Sequence, residues 1–164
     1  MNLKSIYTDG GCKSTAGVGS WAYIIFDGTD VSGDPEVVKT GSLVDTTNNR
    51  TEMLAAIRAI ESLPQGTKIR LYSDSGYLVN GVNHPSYLKK WIENDWTTSR
   101  GEPVKNQDLW ERILELIELY DIQWIRVKGH GRNDDPLHNR NNELCDRLCT
   151  MAMQMRLDRM EDDE

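Results

Sequence analysis

The 164 residues make a chain the size of one domain, and its 38% hydrophobic and 27% charged residues are the balance of a globular protein with a buried core. No stretch is long and apolar enough to cross a membrane, and "MNLKSIYTDGG" lacks the apolar run of a secretory signal, so a cytoplasmic protein with no membrane partner is expected. The net charge of −7 speaks against an anionic partner only until it is mapped: the tail 158–164 carries −4 and four carboxylates of a candidate cation site another −4, which leaves the remainder near +1.

Residues 3–9 alternate, with Leu3, Ser5, Tyr7 and Asp9 on one face and Lys4, Ile6 and Thr8 on the other, which predicts a strand. Residues 19–28 and 36–44 predict two more, and the short links make the three an antiparallel meander. A helix is expected over 48–63, with Asn49 as its N-cap and Pro64 and Gly66 closing it. Residues 68–74 form a fourth strand, and the helix before it implies a right-handed crossover to a parallel neighbour. A short helix over 75–82, a helix over 86–96 and a loop over 97–103 follow. The segment 106–120 is helical, with Leu109, Ile113, Leu116, Ile117 and Tyr120 on one stripe. A fifth strand over 122–129, a polar loop over 130–141 and a last helix over 142–157 complete a single domain at 1–157, and the acidic tail 158–164 is expected to be disordered.

Two strand-like runs end alike, "IYTDGG" on Asp9 and "LYSDSG" on Asp74. In parallel neighbouring strands roughly 4.8 Å apart these carboxylates repel unless a cation lies between them. A lone Asp after a strand is an ordinary turn starter, but a matched pair points to a hard divalent ion such as Mg²⁺ or Mn²⁺. Glu52 shares the apolar stripe of Ala56, Ala59, Ile60 and Leu63, so it faces the sheet; its spacing from Asn49 also fits a capping box. Asp146, early in the last helix, is a fourth candidate, with a solvated acid at a helix N-terminus as the alternative. His130 in "VKGHG" can move protons near neutral pH, with His138 a weaker candidate and His84 structural. Cys12, Cys145 and Cys149 are an odd, sparse set of reduced thiols, and Cys145 and Cys149 with His138 fit no zinc spacing, so they are expected in the core.

The motifs "IYTDGGC", "TNNRTEMLAAI", "LYSDSGYLVNGV", "PVKNQDLWERI", "VKGHG" and "NNELCDRL" stand in the order, and near the spacing, of type 1 ribonuclease H, and the chain resembles that family from about residue 4 to 152. The resemblance implies an α/β ribonuclease H-like fold: a five-stranded mixed sheet of order 3-2-1-4-5 with helices on both faces. It implies an endonuclease that hydrolyses the RNA strand of RNA–DNA hybrids with two Mg²⁺ ions, or Mn²⁺, leaving 3′-hydroxyl and 5′-phosphate ends. The metal ligands and catalytic acids carry over to Asp9, Glu52, Asp74 and Asp146, and the mobile catalytic histidine to His130. Substrate-binding roles carry over to Gly11, Cys12 and Asn48 beside the RNA strand, and to Thr47 and Asn106 at a DNA phosphate. A monomer is expected. A hybrid-binding module without chemistry, or a DNA-cutting nuclease on the same fold, is the alternative.

The chain departs from the family pattern in three places. The glycine segment continues "CKSTAGVG" rather than with Asn-Pro-Gly, which puts Thr15 where an Asn often contacts RNA. The segment 89–106, a basic handle in many bacterial members, nets about +1 here, and its Trp91 and Trp96 are read as handle core. The loop from His130 to Asp146 is longer than usual.

Overall fold

Strand β1 (Leu3–Lys13) is the centre of the sheet. In this computed structural model, which describes residues 2–13 and 15–162, it pairs antiparallel with β2 (Val18–Asp27) and parallel with β4 (Lys68–Ser73). Strand β3 (Val37–Val44) flanks β2 and β5 (Asp121–Arg126) flanks β4, giving the order β3-β2-β1-β4-β5 that was expected. The parallel register sets Thr8 opposite Ser73, so Asp9 and Asp74 leave the paired segment level with each other.

Alternation along β1 sends successive side chains to opposite layers. Ile6 enters the larger core, built with α1 (Asn48–Glu61), α2 (Gly76–Asn83) and α4 (Gln107–Leu119). Tyr7 enters a smaller one that includes Ile24, Phe26 and Cys145, under the long helix α5 (Pro136–Asp162). Cys145 and Cys149 are buried there as thiols, and burial pushes both well above the ordinary thiol range. Their Sγ atoms donate to the backbone carbonyls of Tyr7 and Asp9, which ties α5 to the central strand.

Strand β1 does not stop at Asp9. Gly10, Gly11 and Cys12 stay in register with Trp21, Ser20 and Gly19, and the chain reverses only between Lys13 and Val18. Gly10 answers to packing rather than to a turn. A Cβ on Gly10 would lie 2.5 Å from Glu52 N and from Thr51 C, so only glycine lets the first turns of α1 lie this close to the strand.

Helix α1 is capped by Thr47, whose hydroxyl accepts from Arg50 N at 3.3 Å, and not by Asn49. Helix α5 starts at Pro136, six residues earlier than the sequence periodicity predicts. Asp135 caps it, with Oδ1 accepting from Leu137 N at 2.9 Å, and proline suits the first helical position. At its other end α5 passes residue 157 and reaches Asp162, helped by the one-turn bond from Gln154 Nε2 to Asp158 Oδ1 at 2.8 Å. Asp163 and Glu164 lie outside the described residues.

The handle is α3 (Pro85–Glu93), followed by Asp95 and Trp96 in the left-handed region and a bridge between Thr97 and Pro103. Trp91 and Trp96 are half-buried, with ring centroids 6.2 Å apart, and Trp91 lies 5.8 Å from the buried Trp110. Both tryptophans are core of the handle, as expected. Tyr87 is exposed.

Replacing Gly10 by alanine is expected to destabilise the protein by about 3 kcal/mol, the upper end of overpacking costs, because the nearest atoms are backbone. Equilibrium unfolding in urea checks it. A loss under ~0.5 kcal/mol would mean that α1 yields at little cost.

Candidate active site

Three elements bring carboxylates to one rim of the sheet. Asp9 projects from β1 and is 5% exposed. Asp74 follows the last residue of β4 and precedes Ser75, whose hydroxyl caps α2 by accepting from Leu78 N at 3.2 Å. Glu52 comes from α1, is 8% exposed, and its Oε1 accepts from the backbone N–H of Gly10. The capping-box alternative falls away, because with Thr47 as the cap Glu52 sits five positions on, past the reach of that motif. A second glycine adds to the crowding: a Cβ on Gly129 would stand 3.0 Å from Asp74 Oδ2.

Asp9, Glu52 and Asp74 each offer an oxygen within 4.8 Å of the others, and among the described residues no other three acidic, histidine or cysteine side chains do so. Burial, with the charges of Asp74 and Asp146 adding, pushes Asp9 up to about 7. Burial and the charge of Asp9 push Glu52 well up, and burial, then the charge of Asp146, raises Asp74. Protons or a cation must relieve the repulsion. Glu52 Oε2 is buried without a hydrogen-bond partner, the one carboxylate oxygen among three such buried side-chain atoms, with Thr8 Oγ1 and Thr46 Oγ1, in the described residues. An all-oxygen donor set with an unclaimed lone pair fits a hard divalent cation.

The three acids form the floor of a cleft of about 700 Å³, whose walls include Asn48, His130, Asn142 and Asp146. Asp146 is exposed and stands outside the three-oxygen cluster. His130 is exposed on the loop after β5 with φ of 59°. His138 is turned away from the cleft: its Nδ1 is 2.6 Å from the hydroxyl of Tyr7, and its ring stands against Tyr72 with centroids 4.9 Å apart. His84 is exposed at the start of α3.

Of the expected substrate-binding residues, Asn48 lines the cleft. Gly11 and Cys12 lie further along β1, half-buried, and the Cys12 thiol donates to the carbonyl of Thr46 at 3.4 Å. Thr47 and Asn106 converge on Arg50. Thr47 accepts from its backbone N–H, while Asn106 Oδ1 lies 3.4 Å from its Nη1, and Asp108 pairs with both guanidinium nitrogens at 2.9 and 2.8 Å. Asn106 Nδ2 also donates to the Tyr77 hydroxyl at 3.0 Å, joining this corner to the cleft wall.

The sequence reading missed Asn142. It is buried, it lines the cleft, and its side-chain hydrogen bond holds Asp74 lower than burial alone would. The signal was available: Asn142 precedes Asp146 by four residues, one helical turn on the same face.

A family model described as RNase H matches residues 2–154. A ribonuclease H of Caldanaerobacter subterraneus subsp. tengcongensis is 43% identical over 151 residues, 90% of this chain and 89% of the relative. One of Acetivibrio thermocellus is 42% identical over 92% of this chain and 94% of its own length. Among solved structures, the PFV RNase H domain superposes with a TM-score of 0.75 at 22% identity, over 93% of this chain and 94% of that one. The LC11-RNase H1 structure in complex with an RNA/DNA hybrid does so with 0.64 at 20% identity, over 94% and 99%. These last two are alike in fold, and the first two carry the family through most of the sequence. The sheet order, the crowded acids on its rim and these relatives agree: the chain belongs to the RNase H family of enzymes, in its type 1 branch.

Proposed function

We propose that this protein is an endonuclease that hydrolyses the RNA strand of RNA–DNA hybrids by a two-metal-ion mechanism, leaving 3′-hydroxyl and 5′-phosphate ends. The observation that carries the reading is the cluster of Asp9, Glu52 and Asp74 with its unpartnered Glu52 Oε2. Bound Mg²⁺, or Mn²⁺, supplies activation of water and neutralisation of charge on a phosphodiester.

The chain's own residues supply the rest. Asp9, Glu52 and Asp74 hold the cations, and Asp146 adds a fourth carboxylate from the opposite wall. Asn142, on the same cleft, favours the ionised form of Asp74. His130, exposed on the cleft, takes and returns a proton. Asn48, on the cleft wall beside Glu52, is placed to meet the 2′-hydroxyls that only the RNA strand of a hybrid displays. Gly11 and Cys12 extend that contact along β1, and Thr47 and Asn106 receive a phosphate of the DNA strand. The relative solved with a hybrid supports this choice of substrate. The protein acts as a monomer in this reading.

Asp74→Asn is expected to keep the fold and the affinity for hybrid while lowering cleavage by about 10³-fold or more, the scale of several kcal/mol of lost charge stabilisation. Parallel assays on hybrid, duplex DNA and duplex RNA test both chemistry and substrate. Near-normal turnover by the variant, or equal cutting of duplex DNA, overturns the reading.

The raised acid pKa values set a pH window. Asp9 binds its proton more tightly folded, near 7, than unfolded, near 4, so its contribution is whole below pH ~4 and is lost as pH rises through about 7. Glu52 and Asp74 shift in the same direction. The metal-free protein is therefore expected to melt lower at pH 8 than at pH 5, and saturating Mg²⁺ to raise Tm far more at pH 8. Equal Mg²⁺ effects at both values would contradict the cluster's role.

The handle segment 89–106 nets about +1, so few counterions leave when hybrid binds. Asp74→Asn protein is expected to show a shallower log–log salt dependence of hybrid affinity than a homologue with a strongly basic handle. Equal slopes, measured by fluorescence anisotropy, would rule this out.

A further inference from the structure

The loop between β5 and α5 turns back at His130 and Gly131, both in the left-handed region with φ of 59° and 71°. An L side chain rarely adopts this conformation, so neighbours must impose it on the histidine. Two asparagines do so. Asn133 Oδ1 accepts from the backbone N–H of Lys128 at 2.7 Å, and Asn133 Nδ2 donates to the Lys128 carbonyl at 2.6 Å. One side-chain amide thus makes both bonds that a paired backbone residue would make at the base of a hairpin. The backbone of Asn133 is met in the same way: its N–H donates to Asn139 Oδ1 at 2.9 Å, and its carbonyl accepts from Asn139 Nδ2 at 3.0 Å. Asn133 Nδ2 also reaches Asn139 Oδ1 at 2.9 Å.

These bonds form a ladder of two amide rungs. The first closes the turn that carries His130, and the second hangs that turn on the first turn of α5, the helix that bears Asp146. Flipping either amide would set donor against donor and acceptor against acceptor, so the network itself fixes their orientation. The half-buried placement of Asn133 and Asn139 shields the second rung from competing water, while the first, at Lys128, is exposed. His130 and Asp146 stand on the wall of one cleft, and their spacing is set through this ladder.

We propose that Asn133 and Asn139 are positioning residues for the reaction, acting through His130. The loop between β5 and α5, which on its own would let the imidazole wander, is held in one register by the two amides. This rests on the reading of His130 as the group that moves a proton.

The test is a set of single and double variants assayed on a defined hybrid with Mg²⁺. His130→Ala is expected to lower kcat by roughly 10²-fold, the low end for a positioned acid or base. Asn133→Ala and Asn139→Ala are each expected to lower kcat by about tenfold, as a displaced catalytic group does, and to leave KM within about twofold. Either change added to His130→Ala is expected to cost nothing more, and the pH–rate profile of Asn133→Ala to lose the limb that His130→Ala loses. A structural brace alone would give the same further loss with or without the histidine. Such additive losses, or wild-type kcat in both asparagine variants, overturn the proposal. Wild-type kcat for His130→Ala removes the histidine's role and the positioning role with it; an impaired His130→Ala beside unimpaired asparagine variants removes only the latter. Should Asn133→Ala fail to fold, Asn139→Ala, which leaves the Lys128 rung in place, decides the matter.

Discussion

Repulsion among buried carboxylates is the constraint to which the rest of this structure is fitted. Asp9 and Glu52 are both less than a tenth exposed, and Asp74 stands level with Asp9 across a parallel strand pair. A fold guided by stability alone would separate them. Instead, glycines at 10 and 129 remove the side chains that would keep α1 and Asp74 at a distance, and the Gly10 N–H satisfies one oxygen of Glu52. The second oxygen has no protein partner. The cost of crowding is borne by the metal-free protein and relieved by a cation.

The two walls of the cleft meet different demands. The floor is rigid: strand register and helix packing fix its oxygens. The far wall is built from α5 and the loop before it, with Asp146 and His130 both exposed. There His130 meets the water that a group exchanging protons needs, whereas the floor acids that hold an ion need fixed geometry. The buried Asn142 joins the two, since it belongs to α5, lines the cleft and favours the ionised form of Asp74.

Much of this was legible in the sequence where local pattern carries the information. The matched "YTDGG" and "YSDSG" segments located Asp9 and Asp74, and the apolar stripe located Glu52. The pattern misled where one residue type has two uses. The strand reading stopped at Asp9 because alternation ends at the glycines, yet Gly10 and Gly11 continue β1 in register with β2. Asn49 read as the cap of α1, and Thr47, two residues ahead of it, took the role. "DDPLHNRN" read as a polar loop because its side chains are hydrophilic, although Asp-Pro is a helix start and the hydrophilic residues are used in hydrogen bonds. The paired amides of Asn133 and Asn139 leave no periodic trace, since their partners are backbone atoms chosen by the fold.

The three floor acids come from β1, from α1, which crosses from β3 to β4, and from the residue after β4. The register of β1 against β4 is fixed by parallel pairing, and an insertion within either strand would pull the oxygens out of line. The segment between β5 and α5 lies outside these elements and contributes no oxygen to the three. A change of length is thus absorbed on one side of the cleft and barred on the other, so the loop that carries His130 can be remodelled while the ion-holding geometry stays unaltered.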